Sequence, residues 1–187
     1  MIDVRMPSVA AAEDTALVNE LAALVNSVYA VAEEGLWADG TPRTTPEEMA
    51  ELIAAGQIAV AWADEWIVGA VRVQRLDTGE AEFGMLVTDP AHRGKGVGRE
   101  LIRFAERWSR ERGLDRMQLE VLVPRQWCHP SKEFLKAWYP RIGYHPVSVG
   151  QFETSYPELA PLLATPCDFV IYQKSLSTHE ERDDVSG

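Results

Sequence analysis

A chain of 187 residues with 46% hydrophobic content carries enough apolar material for one sizeable core, which excludes a mostly disordered chain. Its formal net charge of −11 excludes the electrostatics of nucleic-acid binding and of docking on an anionic membrane surface, both of which depend on clustered Lys and Arg. The same charge suits cationic small molecules, or serves solubility alone.

Residues 2–6 read as a short first strand ended by Pro7. Between residues 13 and 32, Leu17, Leu21, Leu24, Val25, Val28 and Tyr29 recur at helical spacing, with Asp14 or Thr15 at the start. Glycine and proline make residues 33–43 a loop. Thr45, Pro46 and Glu48 open a second helix as cap, first-turn proline and a Glu three residues after the cap, and Gly56 closes it. Residues 57–63 alternate Ile58, Val60 and Trp62, the pattern of a half-buried strand. Asp64-Glu65 turns the chain into a second strand over residues 66–76. Asp77, Thr78 and Gly79 turn it again into a third over residues 80–87, giving an antiparallel meander.

Asp89-Pro90 breaks that strand, and Arg93-Gly94-Lys95-Gly96-Val97-Gly98 follows. Val97, Leu101, Phe104, Ala105 and Trp108 then define a helix that Gly113 stops. Residues 117–123 alternate Met117, Leu119, Val121 and Val123. Lying after a strand–helix unit, they are expected parallel to the strand at 80–87. Pro130-Ser131 starts another helix with Ser131 as its cap, and Pro140 ends it. Residues 142–149 and 168–175 are the last two strands. The proline-bearing stretch 151–166 between them is mostly loop with one helical turn. The order β-α-α-β-β-β-α-β-α-β-β is that of a mixed α/β domain over residues 1–176, with a polar tail at 177–187. No apolar run reaches the length of a membrane span, and the N-terminus lacks the basic-then-apolar pattern of a signal peptide. Two cysteines, Cys128 and Cys167, are too few for a disulfide scaffold or a zinc motif, so a cytoplasmic protein is expected.

The chemistry concentrates at residues 93–99. Glycines let the backbone take positive φ and let a ligand approach it closely. The helix behind them begins with unpaired N–H groups and a partial positive charge, and Arg93, Lys95 and Arg99 add full charges. Such a loop suits a phosphate or pyrophosphate. A Walker loop is excluded because GxxxxGK[ST] is absent, and a dinucleotide fingerprint fails on both spacing and position.

The spacing Arg93-x-x-Gly96-x-Gly98, preceded by Leu86-Val87-Thr88-Asp89-Pro90, resembles the GNAT superfamily of acyl-CoA N-acyltransferases. Thr88 stands where that family usually has Val. The resemblance implies a single domain whose mixed, mostly antiparallel central sheet has splayed middle strands flanked by helices. It implies acetyl-CoA as cosubstrate, held through Leu86, Val87 and Thr88 and through the loop residues Arg93, Gly94, Lys95, Gly96, Val97, Gly98 and Arg99. The thioester carbonyl is expected near the main-chain N–H of Leu86, an oxyanion donor. The segment from Tyr139 to Tyr144 is similar to the family's Y-x-x-x-G-[F/Y] ending, which makes Tyr139 the proton donor to the leaving thiolate. Lys132 stands where the family usually places an Asn against the pantetheine arm, with Ser131 beside it.

Glu82, eleven residues before Arg93, matches the spacing of the general base of some relatives. Strand alternation would set it on one face with Gly84, Leu86 and Thr88. At roughly 13 Å of strand rise from Leu86 it would need a water chain to reach an amine there. The loop holding Glu33, Glu34, Trp37 and Asp39 lies where the family often binds its acceptor, and suits a cationic small-molecule or peptide amine. Glu82 and the three loop carboxylates compete for the role of base. His92, His129, His145 and His179 show no metal spacing, and Cys128 reads as a free loop thiol. The expected activity is direct transfer of an acetyl group to an amine, by a monomer or a homodimer. The alternatives are a non-catalytic acyl-CoA-binding module and transfer to a thiol or hydroxyl.

Overall fold

Apolar alternation and helical periodicity resolve into one sheet with helices on both faces. The computed structural model describes residues 1–177, so the expected polar tail lies, beyond Ser177, outside the described residues. The strands are β1 (Ile2–Arg5), β2 (Ile58–Ala63), β3 (Trp66–Arg75), β4 (Ala81–Thr88), β5 (Arg116–Pro124), β6 (His145–Gln151) and β7 (Cys167–Ser175). They lie in the order β1-β2-β3-β4-β5-β7-β6. Neighbours are antiparallel except β4 and β5, which run parallel. The helices are α1 (Thr15–Ala32), α2 (Pro46–Ala54), α3 (Val97–Arg110), α4 (Pro130–Arg141) and the single turn α5 (Phe152–Ser155).

Two cores form, one on each side of the sheet. Val18, Leu21 and Val25 of α1 and Met49 and Ile53 of α2 pack on Ile58, Val60, Ala70, Met85 and Val87. Val97, Leu101 and Ala105 of α3 and Tyr139 of α4 pack on Ala59, Val71, Phe83, Met117, Leu119 and Val121. Close approach of α3 depends on Gly69, where a Cβ would lie 2.7 Å from the Val87 carbonyl oxygen and 2.9 Å from Cγ1 of Val97. A third, smaller cluster joins Leu36 to Leu122, Phe152, Cys167 and Phe169.

Sequence-based expectations fail at a few local points. His129 rather than Ser131 caps α4, its Nδ1 accepting from the Ser131 N–H at 3.1 Å. Pro140 sits inside the last turn of α4 instead of ending it. By length and composition α1 is apolar enough to cross a membrane, with a mean hydropathy of 1.3. Its Val18, Leu21, Ala22 and Val25 are buried in the α1–α2 core, and Leu17, Leu24, Val28 and Tyr29 pack partly against it.

The decisive irregularity is in β4. Against β3, Arg72 pairs with Gly84 and Ala70 with Val87, so three steps on β4 match two on β3. The extra residue forms a β-bulge. Met85 takes a φ of +50°, a left-handed conformation that costs a non-glycine residue about 1–3 kcal/mol. The bulge turns the strand over. Ala81 and Phe83 face the α3–α4 core, whereas Met85 and Val87 face the α1–α2 core. Just before it, β4 and β5 pair only at Ala81–Met117 and Glu82–Gln118. Beyond that point the two strands part, giving the splay expected of the middle of the sheet.

Candidate active site

The parted strands open a cleft of about 1220 Å³ between the two layers of helices. Small-ligand sites usually run to ~300–1,000 Å³, so there is room here for an extended cosubstrate arm and a second reactant.

At one end of the splay lies the glycine loop. Asp89 accepts from the Ala91 N–H at 2.8 Å and shapes the turn after β4. Gly94 and Gly96 take φ of +76° and +85°, and a Cβ at either would meet only open space. Gly96 is the N-cap of α3 and offers no side-chain acceptor, so the first-turn N–H groups of the 14-residue helix are free of a side-chain cap. Arg93, Lys95 and Arg99 are exposed around it, and Arg93 also lines the cleft. Val97 is buried at 1% exposure, so it offers only its backbone to the surface. Gly98 lies close to Thr88, whose Oγ1 would be 3.7 Å from a Cβ there. An uncapped helix start, an open backbone and three cations fit a pyrophosphate.

The bulge corrects the expected placement of Glu82. Leu86 packs against the α3–α4 core and Thr88 points toward α3, while Glu82 shares the opposite face with the α1 and α2 side of the cleft. Simple alternation fails because the strand turns over at Met85. Glu82 accepts from Nε2 of Gln74 at 3.0 Å and from Nε2 of Gln118 at 2.8 Å. Arg72 donates to Oε1 of Gln74 at 2.8 Å, which fixes that amide with its NH₂ toward Glu82. Val87 is buried in the α1–α2 core.

Tyr139 arrives from the other face. Its ring is packed among Phe83, Trp138, Tyr144 and Tyr172 at centroid distances of 6.3, 5.3, 6.3 and 5.7 Å. It also lines the cleft. Burial, with smaller contributions from Tyr29 and Tyr172, pushes its phenol well above the ordinary value, so it stays protonated at physiological pH.

Two residues expected to face ligands instead face each other. Nζ of Lys132 donates to Oε1 of Glu33 at 2.7 Å, and Nε1 of Trp37 donates to Oε2 at 2.6 Å. Both Glu33 oxygens are thereby engaged, and neither Glu33 nor Lys132 is free for an acceptor amine or a pantetheine arm. The pair clamps the end of α1 to α4. Glu34 offers its carbonyl to Nε2 of His129 at 3.1 Å and, like Asp39, remains exposed at the cleft edge. Ser131 is half-buried and lines the cleft, its N–H given to His129. Trp37 packs edge-on against Phe152 at 5.7 Å. Ala38 N–H and Ala164 N–H tie this loop to the β6–β7 connection at 2.8 and 2.9 Å.

Glu120 and Tyr156 are cleft residues that the sequence pattern did not single out. The Tyr156 hydroxyl donates to Oε2 of Glu120 at 2.5 Å. Partial desolvation at the cleft wall raises the Glu120 carboxyl above its ordinary value, the Tyr156 bond opposes this, and the charge of Glu82 adds to it. Burial also raises the Tyr156 phenol, and its bond to Glu120 reinforces the effect. The polar positions Gln118 and Glu120 alternating with apolar Met117, Leu119 and Val121 were the available signal for Glu120. Tyr156 gave none, since it lies in a loop. Cys167 is fully buried with its thiol pushed up to about 11 by desolvation, whereas Cys128 is exposed. Among the described residues there is no cluster able to hold a metal ion.

Comparison with known proteins bears on this arrangement. The sequence model described as the acetyltransferase (GNAT) family matches residues 23–130. No curated protein sequence matches the chain. Among solved structures, an N-acetyltransferase from Staphylococcus aureus Mu50 superposes with a TM-score of 0.66 at 13% identity, over 94% of this chain and 98% of that one. PaiA N-acetyltransferase from Thermoplasma acidophilum, in complex with coenzyme A, gives 0.65 at 16% identity over 94% and 99%. N-acetylglutamate synthase from Neisseria gonorrhoeae, complexed with coenzyme A and N-acetyl-glutamate, gives 0.65 at 14% identity, over 95% of this chain and 36% of its own. At these identities the likeness is one of fold.

Proposed function

Given that the chain belongs to the GNAT family of acetyltransferases, we propose that it moves the acetyl group of acetyl-CoA directly to a primary amine carried on a small molecule or peptide. The observation that carries this reading is the splay of β4 from β5 at the bulged Met85, with an uncapped, glycine-lined helix start at one end and carboxylates in the cleft. The loop of residues 93–99 holds the pyrophosphate of acetyl-CoA, and the pantetheine arm lies along Leu86, Val87 and Thr88 in the gap. A main-chain N–H at Leu86 stabilises the oxygen of the attacked carbonyl. Tyr139, protonated and lodged on the α4 side, gives its proton to the departing sulfur. The amine enters from the α1–α2 side, where Glu82, Glu120, Glu34 and Asp39 outnumber Arg43 and Arg72 and favour a cationic acceptor.

The test is release of free thiol from acetyl-CoA in the presence of a panel of primary amines, hydroxyls and thiols. Turnover confined to amines supports the reading. Turnover only with hydroxyl or thiol acceptors reassigns the acceptor. Binding of acetyl-CoA with no turnover on any acceptor makes the protein a binding module.

A further inference from the structure

Two carboxylates stand on the same face of the splayed sheet, Glu82 on β4 and Glu120 on β5, and their surroundings divide the labour between them. Gln118 and Glu120 alternate with Met117, Leu119 and Val121, which are packed in the α3–α4 core. Leu122 faces the small cluster around Leu36 and Phe152. Glu120 therefore points to the α1–α2 side, as does Glu82, which Gln118 holds at 2.8 Å. Each oxygen of Glu82 already accepts from a side-chain amide, which stabilises its charged form and fixes its orientation. Glu120 uses Oε2 on Tyr156, and among the described residues no side chain donates to Oε1 and no Lys or Arg pairs with it.

Position favours Glu120 as well. Glu82 pairs with Gln118, the last pair before β4 and β5 part, and Glu120 lies two residues further along β5 on the splayed side. Gly84 has no side chain, and a Cβ there would meet only open space. Leu86 likewise lies beyond that last pair, past the bulge, so Glu120 stands on the Leu86 side of Gln118. The space in front of Glu120 is thus open, next to the bulge and beside the gap into which Tyr139 reaches from the other face.

Resting on the amine-acetyltransferase reading above, we infer that Glu120 is the catalytic base that takes the proton of the acceptor ammonium, and that Tyr156 positions it while the amide-held Glu82 keeps its wall negative. R–NH₃⁺ transfers one proton to the Glu120 carboxylate, and the freed nitrogen lone pair forms the N–C bond at the thioester carbon. The C–S bond breaks with its electron pair on sulfur, which takes the Tyr139 proton. The second proton of the now cationic nitrogen restores Tyr139. Glu120 then returns its proton to solvent. Base and acid work from opposite faces of the sheet through the gap between β4 and β5. The other charged or titratable groups on the cleft wall are Glu82 on β4, Arg72 on β3, Tyr29 on α1, Glu33, Glu34, Asp39 and Arg43 between α1 and α2, Arg93 in the glycine loop, and Lys132 and Tyr139 on α4. Desolvation and the Glu82 charge raise the Glu120 carboxyl above its ordinary value, against the Tyr156 bond, which makes it a stronger proton acceptor.

The experiment measures thiol release from acetyl-CoA against pH with phenethylamine, putrescine and a peptide bearing a free α-amine, for wild type, Glu120→Gln, Glu82→Gln and Tyr156→Phe. Glu120→Gln should lower kcat/KM by about 10²–10⁴-fold, and its rising acid limb should give way to one set by the amine alone. Tyr156→Phe should lower kcat/KM less than Glu120→Gln does and move that limb to higher pH, since its hydrogen bond favours the charged carboxylate and holds it in place. Glu82→Gln should move the limb to lower pH by removing a neighbouring charge. Calorimetry should show all four binding acetyl-CoA alike. Wild-type turnover matched by Glu120→Gln, limb included, overturns the role of Glu120 alone. A wild type inert toward every amine overturns the amine reading and this assignment together.

Discussion

Nζ of Lys132 stands 2.7 Å from Oε1 of Glu33, with only 5% and 8% of the two side chains exposed. The pair joins α4 to the end of α1, and Trp37 satisfies the remaining Glu33 oxygen. Removing one partner strands the other charge in a dry site, which typically costs about 3–5 kcal/mol. Lys132→Met should therefore lower stability by that order in chemical denaturation. Lys132→Met combined with Glu33→Leu should recover a large part of the loss, because no charge is then left buried. Additive losses in the double variant would mean that the two side chains do not act as a pair.

The loop at residues 93–98 predicts the site of the cosubstrate phosphates. Gly96→Asp would place a carboxylate at the start of α3 and a Cβ on a backbone with φ of +85°. Calorimetry should show acetyl-CoA binding to wild type and little to the variant. Because strain at this φ could weaken the fold, thermal melts of the two proteins belong beside the titration. Equal affinity in a folded variant would move the phosphates elsewhere.

Tyr139→Phe keeps a ring packed among Phe83, Tyr144 and Tyr172 and removes only the hydroxyl. If the phenol protonates the leaving thiolate, turnover should fall by about 10²–10⁴-fold with cosubstrate affinity nearly kept. Unaltered turnover, with chemistry shown to limit the rate, would leave Tyr139 a packing residue.

Glu120 also makes a stability prediction that needs no substrate. Its carboxyl is raised in the folded state, chiefly by partial desolvation at the cleft wall. A raised carboxyl favours folding most below the unfolded value of about 4.3, and that contribution is lost as pH rises through the folded value. Glu120→Gln does not titrate. Its melting temperature should therefore gain on that of wild type as pH climbs from about 4 toward neutrality. A gap that closes over the same range would contradict the partly desolvated setting of the wild-type carboxyl.

The order of elements, the glycine loop and the helix behind it were legible in the chain, because strand alternation, capping residues and glycine spacing are local properties. Thr45 caps α2 through a 3.1 Å bond from the Glu48 N–H, as its sequence says. Asp14 caps α1 in the same way. Tertiary structure alone decided which residues meet in the cleft. The face reversal at Met85 depends on how β4 pairs with β3, and no alternation in the sequence betrays it. Lys132 and Glu33 are 99 residues apart and choose each other only once α4 packs beside the end of α1. Tyr156 and Glu120 are 36 residues apart and meet because the β6–β7 connection folds back over the open mouth of the sheet. A local pattern specifies a strand or a helix. Which carboxylate is left with an open oxygen depends on donors brought from distant parts of the chain, and only the packed fold supplies them.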